Sequence, residues 1–188
     1  MLVNMKKNYR KRMEENPEKE REDRRRWKEE NKEHYLEWTR KYWKKRYESE
    51  PNFRLARVLR SNTSRIIKNG CTKRSKTLKM LGCSVKTCRE WLESQFTSEM
   101  SWDNHGKYWH IDHFLPIACF DLEKKEEQDR CFHWSNLQPL PGKINISKHC
   151  SIPSEEEQEL HQQKIDNFKA KNEEEKSILP GEPNNVNR

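Results

Sequence analysis

The segment Tyr108-Trp109-His110-Ile111-Asp112-His113-Phe114-Leu115-Pro116 places two imidazoles and a carboxylate within four consecutive residues, 110 to 113. A carboxylate can hold a hard cation, and an imidazole beside it can take a proton from water. The neighbours Tyr108, Trp109, Ile111, Phe114 and Leu115 suit a half-buried strand. In a strand, His110 and Asp112 share one face while Ile111 and His113 share the other. Pro116 cannot donate to a ladder, so Asp112 and His113 fall where a strand gives way to a loop. Taken alone, the segment reads equally well as a strand with two surface histidines. A second segment has to give it a task.

That second segment is downstream. Cys131-Phe132-His133-Trp134 is apolar, and Asn136-Leu137-Gln138-Pro139-Leu140 reads as a second strand or its turn. Pro141-Gly142 can open a helix, since proline is tolerated in a first turn. Lys143 to His149 is then that helix, with Asn145 and His149 one turn apart on one face and Lys148 beside them.

Together the residues Trp109 to Pro116, Phe132 to Leu140, Asn145 and Lys148 resemble the HNH endonuclease family, whose core is a ββα-metal unit. The likeness is greatest to its free-standing members in large DNA viruses and phages, where a segment like Trp102-Asp103-Asn104 precedes the strand. It covers residues 78 to 149 and is only compositional before them. The resemblance implies that His113 is the general base and Asp112 a ligand of a single divalent metal. It implies that Asn136 ties the loop across the hairpin and helps fix the base without touching the metal. Asn145 matches a further ligand position, and His149 the place of an additional ligand in some members. Two positions depart from the pattern. Pro141-Gly142 stands where an apolar-small pair is expected, and His110, on the same side as Asp112, has no assigned role: it contacts DNA, helps the metal, or is an ordinary surface histidine.

The chemistry follows from the residue types. Phosphodiester hydrolysis needs a nucleophile, neutralised charge at phosphorus and help for the leaving oxygen. Water, with a pKa of about 15.7, needs a base, and histidine's ordinary pKa near 6.5 leaves His113 ready to act. Two oxygen ligands with open positions suit Mg²⁺ first and Mn²⁺ second; His149 as a third ligand moves the preference towards Zn²⁺ or Ni²⁺. Lys148 is placed to contact phosphate near the metal.

The elements around this site are uneven in composition. The 188 residues are 37% charged and 31% hydrophobic, with a mean hydropathy of −1.36. Residues 1–50 carry 17 Lys+Arg against 12 Asp+Glu, and residues 51–100 carry 11 against 3. The site-bearing block 101–150 is close to neutral and the tail is acidic. A basic front half on a neutral site predicts a polyanionic partner, double-stranded DNA above all. Residues 1–52 read as a charged helical arm, its basic groups and Trp27, Tyr35, Trp38, Tyr42 and Trp43 suited to lying along phosphate. A loose repeat relates Tyr9-Arg10-Lys11-Arg12 to Trp43-Lys44-Lys45-Arg46, and Glu14 stands at helical spacing from Glu18 and Arg21. Residues 53–100 form a basic helical region. Its apolar face is Leu55, Val58, Leu59, Ile66 and Ile67, stopped at Asn69-Gly70. Arg54, Arg57, Arg60, Arg65, Lys68, Lys73, Arg74, Lys76 and Lys79 are the phosphate-contact candidates. A short helix follows at Leu78–Gly82, then one capped by Ser84 and carrying Val85, Cys88, Trp91 and Leu92. Residues 117–127 read as an acidic loop. Residues 151–188 read as a polar helix, with a Ser154/Glu157 capping box and a thin apolar side of Leu160, Ile165 and Phe168, ending in a disordered tail.

The expected fold class is therefore α+β, a small ββα-metal core at 101–150 preceded by helices and a long arm. The expected function is a metal-dependent DNA endonuclease leaving 5′-phosphate and 3′-hydroxyl ends. The alternative is a nucleic-acid-binding protein that keeps the hairpin without cutting. The six cysteines form no CxxC pair, so buried thiols are expected over disulfides or a zinc site. No apolar run is long enough for a signal peptide or a membrane span, which predicts a soluble intracellular protein.

Overall fold

A computed structural model describes residues 10–67 and 72–178, with side chains up to residue 174. The expectations for Tyr9, Lys68, the Asn69-Gly70 stop, Cys71 and the tail from Leu179 lie outside the described residues. The chain divides into two units, residues 1–54 and 55–188.

In the first unit α1 runs Pro17–Glu30 and α2 runs Lys32–Ser49. The Asn16 side chain accepts from Lys19 N at 3.1 Å and Pro17 fills the first helical position, which stops the preceding helical turn and starts α1. This break separates Glu14 from the helix of Glu18 and Arg21, and Arg12 pairs with Glu20 instead. Neither helix buries a residue. The aromatics pair with one another: Trp38 stacks on Tyr42 at 5.3 Å and Trp43 on Phe53 at 5.4 Å. The Arg46 guanidinium lies 4.2 Å from the Phe53 ring.

The second unit is α+β. Helix α3 (Pro51–Ile67) enters it and buries Leu55, Ala56, Leu59, Thr63 and Ile67 along one helical face; of the expected apolar face, Val58 and Ile66 are only partly buried. Then come α4 (Thr77–Met80) and α5 (Val85–Glu93), the latter capped by Ser84 Oγ, which accepts from Thr87 N at 3.0 Å. Gly82, between them, has φ +73°, and a Cβ there would stand 2.4 Å from the His133 ring, so both conformation and space demand glycine. Strand β1 (Trp109–His113) pairs antiparallel with β2 (Leu137–Pro141), His113 opposite Leu137 and Asp112 opposite Gln138. Between the strands lies α6 (Lys125–Cys131), in a region expected to be loop. Its sequence is short and acidic, but Glu126 and Glu127 favour the N-terminal turn and Lys125 pairs with Asp129 one turn on at 2.8 Å. Helix α7 (Gly142–Lys148) follows β2 without a break, and α8 (Glu155–Ile178) opens on a reciprocal box between Ser154 and Glu157.

The core gathers Leu55 and Leu59 of α3, Leu81, Trp91 and Leu92, Trp134, Leu137 and Ile165. Trp91 is fully buried and its indole N–H donates to Leu137 O at 2.7 Å, which fixes β2 to α5. Trp109 is equally buried, donating to Ser101 O and stacking edge-on with Phe96 and Trp102. On α8 the inward side differs from expectation. Leu160 is 53% exposed, and His161 beside it is buried, its ring parallel to Phe114 at 3.8 Å and its Nε2 against Ser135 O at 2.7 Å. A histidine there can pack flat and also satisfy a buried carbonyl, which leucine cannot. Of the described cysteines, Cys88 and Cys131 are buried and all are free.

Candidate active site

The end of β1 sets the geometry. Alternation along the strand sends Ile111 and His113 towards the core and His110 and Asp112 to the other face. Ile111 packs on the main cluster, and the His113 ring meets Phe132 edge-on at 5.6 Å. Although the residue as a whole is partly exposed, its Nε2 is shut off from solvent with no protein partner.

Asp112, on the opposite face, is the meeting point of three elements. Gln138 of β2 donates to its Oδ2 at 3.0 Å, and Lys148 of α7 donates to the same oxygen at 2.7 Å. Lys148 also donates to the His113 carbonyl. The ion pair is well shielded, with side-chain exposures of 15% for Lys148 and 17% for Asp112. Asn145, one turn before Lys148, is partly buried on the same side of α7, a helix that packs on both strands. All recorded bonds of Asp112 fall on Oδ2, so among the described residues Oδ1 has none.

Asn136 sits at the other side of the strand end, buried, just before β2. Its Oδ1 accepts from Leu115 N at 2.9 Å, and its Nδ2 donates to Cys131 O at 2.9 Å and Leu115 O at 3.3 Å. Its carbonyl accepts from Phe114 N at 2.8 Å. The loop that leaves His113 is thus tied by one side chain to the segment that precedes β2.

His110 lies beside the start of α7. A Cβ on Gly142 would lie 3.3 Å from the His110 ring, and Gly142 N donates to Tyr108 O at 2.8 Å. The absence of a side chain at Gly142 therefore leaves room for His110. His149 ends α7 exposed, with φ +47°, and its recorded bond is the backbone one to Asn145 O. Among the described residues no three His, Cys, Asp or Glu side chains gather as a metal cluster. The structure brings together Asp112, His113, Asn136 and Lys148, places Asn145 on the facing side of α7, and records no contact that joins His149 to Asp112.

The phosphate-contact candidates lie on two elements. Arg57, Arg60 and Arg65 are exposed along α3, and Lys73, Arg74, Lys76 and Lys79 are exposed at and before α4. Arg54 belongs to the first unit. A residue that sequence reasoning passed over holds the second group: Gln128 of α6, fully buried, accepts from Arg74 N at 3.0 Å and donates to Thr72 O at 2.9 Å and Leu122 O at 2.7 Å. Nothing local marks a glutamine in an acidic stretch as a buried clamp. His161 was missed for the same reason.

Burial keeps three histidines neutral. Loss of solvent pulls His113 down to about 4; the Asp112 charge opposes this and the Lys148 charge adds to it. Burial also lowers His133 and His161. With a folded pKa below the unfolded value near 6.5, the unfolded chain takes up the proton first as pH falls. The stability from these neutral rings is complete above that value and is lost as pH falls through each folded pKa, which for His113 lies at about 4. For His113 alone, the loss between pH 7.5 and pH 5 is about 2 kcal/mol. Denaturant unfolding at the two pH values measures it, and His113→Phe should reduce the drop by that amount; an unchanged drop would show the ring is not held neutral.

No model of a known protein family matches the chain, and no solved structure matches it. It is similar to two curated proteins of Acanthamoeba polyphaga mimivirus. Uncharacterized protein L426 is 40% identical over 128 residues, 68% of this chain and 56% of that protein. Uncharacterized protein L246 is 38% identical over 105 residues, 56% of this chain and 46% of that protein. The chain spans about half the length of these curated relatives.

Proposed function

We propose that the protein is a metal-dependent DNA endonuclease of the HNH type, a ββα-metal core carrying one divalent cation and a histidine base. The observation that carries the reading is the convergence of β1, β2 and α7 on the Asp112 carboxylate, with His113 next to it and Asn136 tying the loop between them. The donor set fits a hard cation. Asp112 is a shielded carboxylate that already faces a positive group, and Asn145 adds an amide oxygen from the facing helix. Asp112 and Asn145 would hold the ion; Mg²⁺ suits two oxygen donors with open positions, and Mn²⁺ is the second choice. When bound, it supplies Lewis-acid neutralisation of charge developing on the phosphate. His113, neutral at pH 7, accepts the proton of the attacking water. Asn136 holds the backbone on which that ring sits, and Lys148 adds positive charge next to the carboxylate. The exposed cations of α3 and of residues 73–79 contact the backbone of double-stranded DNA.

A second reading has its own observation. The Lys148 ammonium occupies Asp112 Oδ2, which is how a hairpin that binds nucleic acid without cutting would settle its carboxylate. Supercoiled plasmid separates the two. Nicking with Mg²⁺ or Mn²⁺ that stops with EDTA and returns with excess metal is the expected result. Retarded DNA with no nicking under either metal identifies the binding-only protein, and its affinity should fall steeply with salt. Nicking indifferent to EDTA would refute a metal centre.

A further inference from the structure

We propose that Gln128 is a positioning residue for DNA binding: from α6 it holds the backbone of residues 72–74 and so pre-orders the cations Arg74, Lys76 and Lys79 for phosphate. This role rests on the reading above, in which these cations contact duplex DNA.

Residues 72–76 lie outside helix and strand. Such a segment has no ladder of its own, so its amides and carbonyls need partners elsewhere. Among the described residues, the recorded main-chain hydrogen bonds of residues 72–75 both go to Gln128, which accepts from Arg74 N at 3.0 Å and donates to Thr72 O at 2.9 Å. Its second amide hydrogen goes to Leu122 O at 2.7 Å. The side chain is fully buried, with its oxygen and both hydrogens engaged. An amide is costly to bury without such bonds, and methionine would fill the same space without that cost. What the glutamine adds is a hold on backbone 54 and 56 residues earlier in the chain.

That backbone carries charge. Lys73, Arg74, Lys76 and Lys79 are exposed. Lys73 Nζ is engaged with Thr77 Oγ1 at 2.6 Å, whereas among the described residues no acceptor is recorded for the side chains of Arg74, Lys76 and Lys79. Three cations without an acidic partner on one short stretch suit a row of phosphates. The far end of the stretch is fixed as well. Met80 packs in one cluster with Ile67 of α3 and with Cys131 and Phe132 at and just beyond the end of α6. Held at both ends, the stretch meets a duplex already ordered, and binding is spared the entropy loss of fixing a free loop.

The test is binding of the full chain to a short labelled DNA duplex across a salt series. Gln128→Met, near in shape but unable to make these bonds, strands Arg74 N, Thr72 O and Leu122 O and frees the segment to seek water. It should weaken binding about tenfold at about 0.1 M salt. The same change is then made in a chain carrying Arg74→Ala, Lys76→Ala and Lys79→Ala. With no cations left to position, it should cost less than about twofold there, whereas general damage to the fold would weaken both backgrounds alike. The triple variant itself should flatten the slope of log affinity against log salt by about 2–3. A folded Gln128→Met that binds as tightly as native, or weakens binding equally in both backgrounds, overturns the inference while the DNA reading stands. No binding by the native protein, or a native salt slope in the triple variant, overturns the phosphate contacts and the inference with them. Should Gln128→Met not fold, Gln128→Asn, which keeps the amide on a side chain one methylene shorter, takes its place and is judged by the same outcomes.

Discussion

On the proposed nuclease reading, replacing His113 by alanine should lower metal-supported nicking by about 10²–10⁴-fold, the span a positioned general base contributes. The side chain is well placed for that effect. The antiparallel pairing of His113 with Leu137 fixes its backbone, Phe132 meets its ring at 5.6 Å, and the Asn136 tether begins at the next residue. Burial holds its pKa at about 4, so at neutral pH no proton has to leave before it can accept one. A neutral side chain contributes little to attraction of a polyanion, so DNA affinity in the variant should stay within about twofold of native. Single-turnover nicking of supercoiled plasmid, with retardation assays beside it, measures both quantities. Equal nicking by native and variant protein would remove His113 from the mechanism.

The largest expected effect on folding comes from Asn136→Ala. The amide makes three side-chain hydrogen bonds within a buried setting, at 2.9, 2.9 and 3.3 Å. Alanine leaves Leu115 N and the Cys131 and Leu115 carbonyls without that partner. At roughly 1–3 kcal/mol for a stranded buried group, the loss should reach about 3–5 kcal/mol, a large part of a typical domain's 5–15 kcal/mol. Asn136→Asp should fare no better, because a carboxylate keeps the acceptor for Leu115 N but faces two carbonyls without a hydrogen to give. Tryptophan fluorescence during urea unfolding measures this through Trp91, Trp109 and Trp134, all buried. A loss below about 1 kcal/mol would show that the loop is held by its backbone alone.

Much of the second unit is written locally. The β-branched and aromatic alternation of residues 109–113, the Ser84 cap, the Ser154/Glu157 box and the apolar stripe of α3 each depend on nearest neighbours along the chain, and each element stands where that pattern puts it. The misreadings share one cause. Residues 125–127 read as the end of an acidic loop because of their composition, and only packing on the rest of the unit makes a helix from 125 to 131 worth forming. Leu160 and His161 differ by a single step around α8, and a sequence ranks leucine as the inward residue. The structure prefers the ring that lies flat on Phe114 and bonds to Ser135.

By itself the sequence determined an α+β class, the position of the first strand and of the helix after Pro141, and the candidates Asp112, His113, Asn136, Asn145 and Lys148, while leaving residues 136–140 open between a strand and its turn. The elements follow from periods of two and about 3.6, which a chain carries in its order, and the grouping of the candidates from the likeness of their motifs to HNH sequences. The tertiary structure decided how those residues are used. It set Lys148 on the Asp112 carboxylate, put His110 beside Gly142, turned Gln128 into the anchor of the basic segment, left His149 exposed, and shut Nε2 of His113 off from solvent. Each of these depends on distance between residues far apart in the chain and on the loss of water around them. Neither quantity exists until the elements pack, so no spacing in the sequence could have announced it.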